Sequence, residues 1–310
     1  MKTNAVKADR SLYKNGYAVQ ETEWPTLILI GLNYALFIGL TLYFAEFSWW
    51  LILPLAAFQQ ALFGSLQHEV LHGHPTRYQW LNELLVFPAL NLWIPYPIYK
   101  KSHLIHHNNQ HLTDPVRDPE SFYIPEQRWQ SMPAWQQAYQ RFYHTFAGRI
   151  LWGPLHVVFS LFYYEARALL GGDAAKWRIW GVHVIACLPV VWWVFGVCEI
   201  PVWQYLLLFI YPGLSLTLIR SYLEHRAVPD PGHRSVIVEA GPFFSLLFLN
   251  NNLHAVHHAN PGLAWYRIPA VWRAERERVL QRNDAYYYPG YGAVLRQYFL
   301  RKKEDPCFRL

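Results

Sequence analysis

Charge is what this chain lacks most. Only 15% of its 310 residues are Asp, Glu, Lys or Arg, while 53% are hydrophobic and 17% aromatic. Soluble globular domains carry about 25% charged residues, so composition alone argues against an ordinary soluble fold. Lys and Arg are missing altogether from two long intervals, 25–67 and 179–219. Cysteine is also scarce: Cys187, Cys198 and Cys307 form no CxxC pair, and two of them fall in or near apolar runs. That excludes a disulfide framework and a cysteine metal site. The net charge of +6 is not bunched into a stripe, and no nucleic-acid motif accompanies it. No repeat of 20–50 residues is visible. Met1–Trp24 lacks the apolar core and small-residue cleavage site of a signal peptide and reads as a cytoplasmic lead-in. The ending Cys307-Phe-Arg-Leu superficially fits a prenylation box, but Arg309 stands where an aliphatic residue is wanted.

What is present instead is apolar length. Each interval without basic residues accommodates two spans of ~20 residues. The first, 25–67, breaks at Ala45-Glu46-Phe47-Ser48, and the second, 179–219, near Gly196–Pro201. Two hairpins are therefore expected, with Lys and Arg confined to Met1–Trp24, Arg77–Arg178 and Arg220–Leu310. By the positive-inside rule those three segments, including both termini, face the cytoplasm. In a bacterium the membrane would be the inner one. Two weaker apolar stretches, Leu84–Tyr99 with three prolines and Ile150–Leu170, read as helices lying in or re-entering the interface. The expected fold is an all-α integral membrane protein, with four transmembrane helices in two hairpins, interfacial helices and a cytoplasmic helical cap. It is expected to be a single domain with segments 1–24, 25–67, 68–178, 179–220 and 221–310. Gln59 and Gln60 are expected to hydrogen-bond between helices, and His183 is read as a structural histidine.

Histidine is concentrated where the apolar runs end. Eight of fifteen fall in three clusters: His68-Glu69-Val70-Leu71-His72, His103-Leu104-Ile105-His106-His107 and His254-Ala255-Val256-His257-His258. Residues three or four apart share one helix face, so each cluster presents several imidazoles together. His225 follows the fourth span as His68 ends the second, which places it at the same depth. Three readings compete. His68-Glu69-x-x-His72 matches the zinc-protease motif, with Glu69 as general base. A catalytic zinc needs only three protein ligands, however, and two further clusters would be left unexplained. The soluble di-iron arrangement requires two Glu-x-x-His copies, and only Glu69-x-x-His72 is found. The third reading is a dinuclear iron centre ligated almost wholly by histidine. Its nine candidates are His68, His72, His103, His106, His107, His225, His254, His257 and His258, about right for two ions with four or five nitrogens each.

These clusters, in this order and between paired hairpins, resemble the membrane fatty acid desaturase and hydroxylase superfamily. Its members carry HxxxH or HxxxxH followed by two HxxHH boxes, and the likeness extends to Leu112–Ser121, Pro261–Tyr266 and the isolated His225. Ser221 departs from the asparagine that animal acyl-CoA desaturases carry one turn before the isolated histidine; Asn250, Asn251 or Asn252 are possible substitutes. The resemblance implies a two-iron, oxygen-dependent oxidoreductase that desaturates a long-chain acyl lipid, acyl-CoA or free fatty acid. Hydroxylation and decarboxylation to a terminal alkene are same-family alternatives. With no His-Pro-Gly-Gly signature present, electrons are expected from a separate ferredoxin, rubredoxin or cytochrome b5 type carrier. Asp114, Asp118 and Asn250 are supporting candidates, with Glu69, Glu120 and Glu224 beside them, because ligand histidines usually donate their second N–H to a carboxylate or carbonyl. His74 and His111 match no family ligand and are left out of the set. Trp93, Tyr96 and Phe122 are candidate tunnel residues, and Arg117 and Arg267 candidate head-group contacts.

Overall fold

The computed structural model describes residues 21–108 and 110–310; the expected lead-in falls mostly on residues 1–20, outside this range. Among the described residues, four helices are long and apolar enough to cross a membrane: Trp24–Leu42, Trp49–Leu71, Ala174–Val197 and Val202–Ser221. A bilayer core offers no water to backbone N–H and C=O groups, so apolar runs of this length satisfy them internally as helix. The first two helices join through a turn at 43–48 and the second two through 198–201. The third span begins at Ala174 rather than Ile179, because the Asp173 carboxylate accepts the amides of Ala175 and Lys176 and caps it there. It therefore takes Lys176 and Arg178 into its opening turns.

The second and fourth spans pack along each other and form the spine of the molecule. Gly213 lets them close: a Cβ there would lie 2.4 Å from Gln60 Cβ. Polar side chains stitch the bundle as glutamines in an apolar setting must. Gln59 Nε2 donates to Asn33 Oδ1 at 3.0 Å, and Gln60 Nε2 lies 3.3 Å from the Tyr205 hydroxyl. The His183 ring N–H donates to the Leu92 carbonyl at 3.0 Å, a structural bond. The fourth span is widened into a π turn over Leu206–Ile210, immediately before Pro212, whose missing amide breaks the i→i−4 ladder.

Leu84–Tyr99 corrects the expectation of an interfacial helix. One helix ends at Leu85 and the next begins at Tyr96, and the proline-containing link between them is irregular. Its buried Ala89 and Leu90 hold it down, with the Ala89 amide donating to Ala186 O. Gly153–Leu170 does form a helix, and it leaves Phe159, Phe162, Tyr163, Tyr164 and Leu170 exposed, an apolar side suited to lipid. The segments after the second and fourth spans supply short helices and two pairs of two-residue parallel strands, Ile124–Pro125 with Cys307–Phe308 and Ile237–Val238 with Tyr287–Tyr288. Under the third histidine cluster lies a separate apolar core of Ile237, Leu253, Val256, Ile268 and Trp272.

Candidate metal centre

Each histidine cluster is delivered by a different element. His68 lies in the last turn of the second span and His72 caps it. His103, His106 and His107 end the helix Tyr96–His107. His254, His257 and His258 occupy the short helix His254–Ala259, and His225 sits just past the fourth span, bridged to Ser235. These elements converge. His68, His72, His103, His107 and His257 form one group, and His106, His225, His254 and His258 a second; within each, the ligand atoms lie within 4.8 Å of one another. The groups adjoin, for the rings of His107 and His258 stack with centroids 4.1 Å apart. The HxxHH spacing explains the split. Its paired neighbours point about 100° apart around the helix, so His106 and His107 serve different groups, as do His257 and His258.

Hydrogen bonding decides which nitrogens carry protons. His106 Nδ1 lies 2.9 Å from Asp118 Oδ1. A carboxylate only accepts, so the proton sits on Nδ1 and the Nε2 lone pair is bare. His254 Nδ1 likewise donates to Asn251 Oδ1 at 2.9 Å. The bare Nε2 atoms of both rings lie 2.9 and 3.0 Å from His225 Nε2. Elsewhere, His72 Nε2, His103 Nε2, His107 Nδ1 and His258 Nε2 are buried with no hydrogen-bond partner. Lone pairs that face one another, and buried nitrogens left unpaired, are unfavourable in a folded protein unless a cation lies among them. The donor set therefore fits a pair of metal ions.

The electrostatics agree. Burial, with neighbouring imidazoles adding to it, holds His72, His103, His107, His254, His257 and His258 well below the ordinary histidine range. They are neutral and can ligate. His106 runs the other way: burial disfavours its charge, but the Asp118 hydrogen bond and nearby acidic groups outweigh that and raise it. The negative surroundings that favour a protonated His106 would favour a metal cation equally.

The supporting candidates separate. Asp118 is on His106, Glu120 lies 3.2 Å from His103 Nδ1, and Glu224 lies 3.6 Å from His254 Nδ1. Asp114 is placed otherwise: its Oδ1 accepts the backbone amides of Val116 and Arg117 and closes a turn. Asn250, with φ +57°, donates to the Trp265 carbonyl, and it is Asn251 that meets His254 and His68. A run of three asparagines gives no local hint of which faces inward. Ser235, 3.3 Å from His225 Nδ1, carried no sequence signal at all. Glu69 is turned to the Trp265 amide, its Oε2 accepting at 3.3 Å. His74 pairs with Glu23, and His111 lies beside Arg117; neither joins the two groups. Trp93 lines the cavity beneath His103. Tyr96 instead borders a surface hollow with Lys100 and Lys101, and Phe122 stacks against the Arg149 guanidinium.

Four apolar spans presenting nine converging histidines at one end define a membrane protein with a polyhistidine metal centre. The sequence model of the fatty acid desaturase family matches residues 47–291, and the chain belongs to that family. It is therefore an oxidoreductase of the desaturase and hydroxylase type. No curated protein matches the chain.

Proposed function

We propose that the nine histidines hold two iron ions, one in each group, and that the protein is an oxygen-dependent acyl desaturase. The observation that carries this reading is the division of nine buried or half-buried histidines into a group of five and a group of four, with the ligand atoms of each group within 4.8 Å of one another. Bound there, iron would supply the dioxygen-activating redox chemistry that an unactivated methylene requires. The overall change takes two hydrogens from the chain, adds two electrons and two protons, and reduces one dioxygen to two waters.

The protein's part is positional. Asp118, Asn251 and Ser235 fix the rings of His106, His254 and His225 through their Nδ1 atoms. Glu120 does the same for His103. A cavity of about 270 Å³ between the second and fourth spans leads to His103 and gives an acyl chain an apolar path. The electrons come from a separate carrier of ferredoxin, rubredoxin or cytochrome b5 type. The basic residues outside both hairpin turns support an orientation with the histidine end in the cytoplasm, in one desaturase-like domain. Hydroxylation or decarboxylation would use the same centre and differ in product.

Lipid analysis of cells expressing the protein with a matched electron donor tests this reading. New double bonds that need oxygen and disappear in His106→Ala support it; hydroxyl or alkene products would redirect it within the family. Peptide cleavage by protein carrying zinc alone, abolished by Glu69→Gln, would overturn it.

A further inference from the structure

Eight of the nine converging histidines lie in a helix or cap one. His225 does not: it stands four residues past Ser221, where the helix of the fourth span ends. An isolated bridge joins it to Ser235. The bonds of that bridge belong to its neighbours, running from the Val236 amide to the Glu224 carbonyl and from the Arg226 amide to the Arg234 carbonyl. Among the described residues no backbone amide reaches the His225 carbonyl. Yet the Nε2 of this ring faces those of His106 and His254 at 2.9 and 3.0 Å, so drift of its backbone would open the whole second group. Such a ligand needs support that secondary structure does not supply.

Lys303 supplies it. Its Nζ donates to the His225 carbonyl at 2.6 Å and to the Tyr286 hydroxyl at 3.0 Å, and lies 3.3 Å from Glu304 Oε1. An ammonium has three N–H donors, and three partners surround this one. The side chain is only 7% exposed, and a lysine is buried to that degree only when it is paired. Tyr286 passes its own proton to the Leu223 carbonyl at 2.7 Å. Lys303 therefore grips the chain beyond the fourth span twice, directly at His225 and through Tyr286 at Leu223. Its charge opposes a cation in the second group, and Glu304 offsets that charge, so what the contact gives the site is position.

The segment that carries Lys303 is itself fastened on both sides of it. Lys302 bridges to Thr145, and the Lys303 amide donates to the His144 carbonyl at 3.2 Å. Glu304 Oε2 accepts the Ala227 amide at 3.1 Å and the Tyr123 hydroxyl, and Cys307–Phe308 pairs with Ile124–Pro125. All of this lies past residue 291, where the family match ends, so the likeness assigns it nothing. We infer that Lys303 positions His225 for the second metal, and that residues 302–308 form the strut that holds Lys303 against it. The inference rests on the proposed reading of two metal ions. Lys303 touches neither ion and acts through the His225 backbone.

Metal binding tests it without turnover. Cobalt(II) is titrated into the purified full chain in detergent, with bound metal counted by elemental analysis and visible absorption following its coordination. Lys303→Met, which keeps an apolar stem and loses the donors, should bind one ion as the unaltered protein does and the other about 10–100-fold more weakly. Added to His225→Ala, it should change the remaining ion by less than about twofold, because residues acting on one site are not additive. The reverse effect needs no variant. Whatever the strut gives the metal, the metal gives the strut, so exchange of the Lys303 amide in the unaltered protein should slow on cobalt loading, and should not in His225→Ala. Unchanged binding of both ions by Lys303→Met, equal weakening of both, or amide exchange indifferent to cobalt would each overturn the inference and leave the two-metal reading intact. Fewer than two ions on the unaltered protein would sink both together. Should Lys303→Met fail to fold, amide exchange in the unaltered protein still decides.

Discussion

Asp118 Oδ1 lies 2.9 Å from His106 Nδ1, with both side chains buried, and this single contact settles the tautomer of a ring whose other nitrogen faces His225. Removing the carboxylate should therefore damage the metal centre from one residue away. Asp118→Leu is expected to lower affinity for the second metal about 10–100-fold. Asp118→Asn, which can still accept the hydrogen bond, should do less. Metal titration monitored by elemental analysis checks the order.

The two groups should empty independently. His225→Ala, which removes the ring at the centre of three facing Nε2 atoms, is expected to reduce bound metal from about two ions to about one per chain. His74→Gln should leave metal content unchanged, because that ring pairs with Glu23 outside both groups. A metal-to-protein ratio on each purified variant is the measurement; an unchanged ratio in His225→Ala would count against the two-group assignment.

His144 gives the folded protein a sensitivity to acid. Burial, with Arg149 adding to it, holds this ring at about 3, and its Nδ1–H donates to the Gln140 carbonyl. The unfolded chain takes up a proton near the ordinary value of about 6.5, whereas the folded chain resists until about 3. Stability is therefore flat above this window and lost as pH falls through it, by at most about 1.4 kcal/mol per pH unit. His144→Gln should flatten thermal-unfolding midpoints between pH 6.5 and 4; an unchanged slope would show that other groups dominate.

Close approach of the second and fourth spans predicts a contrast between two glycines. Gly213→Ala would drive a methyl to 2.4 Å from Gln60 Cβ and is expected to destabilise by about 1–3 kcal/mol. Gly31→Ala, with nothing within 4 Å, should be neutral or mildly stabilising, since alanine is the better helix former. Thermal unfolding in one detergent compares them directly.

Much of the architecture was legible from residue order, because lipid imposes a simple demand: ~20 apolar residues must close their own hydrogen bonds. The four spans, both hairpin turns and the clustering of histidines at their ends follow from that, and His225 was placed by its distance from the end of its span. Local patterns fared worse where a proline-rich apolar stretch was held by contacts with a distant helix, as Leu84–Tyr99 is by Ala186 and His183. Family likeness raised Asp114 and Asp118 together, yet only one of them meets a ring.

Sequence alone determined how many imidazoles there are and that they emerge on elements able to meet. Only tertiary structure decided their partition, because which of two adjacent histidines serves which group depends on how three separate helices are rotated against one another. The same holds for Asn251 over Asn250 and for Lys303, which in sequence is merely the third of three consecutive basic residues. Its contact with His225 arises from packing between segments far apart in the chain, and no local periodicity encodes that.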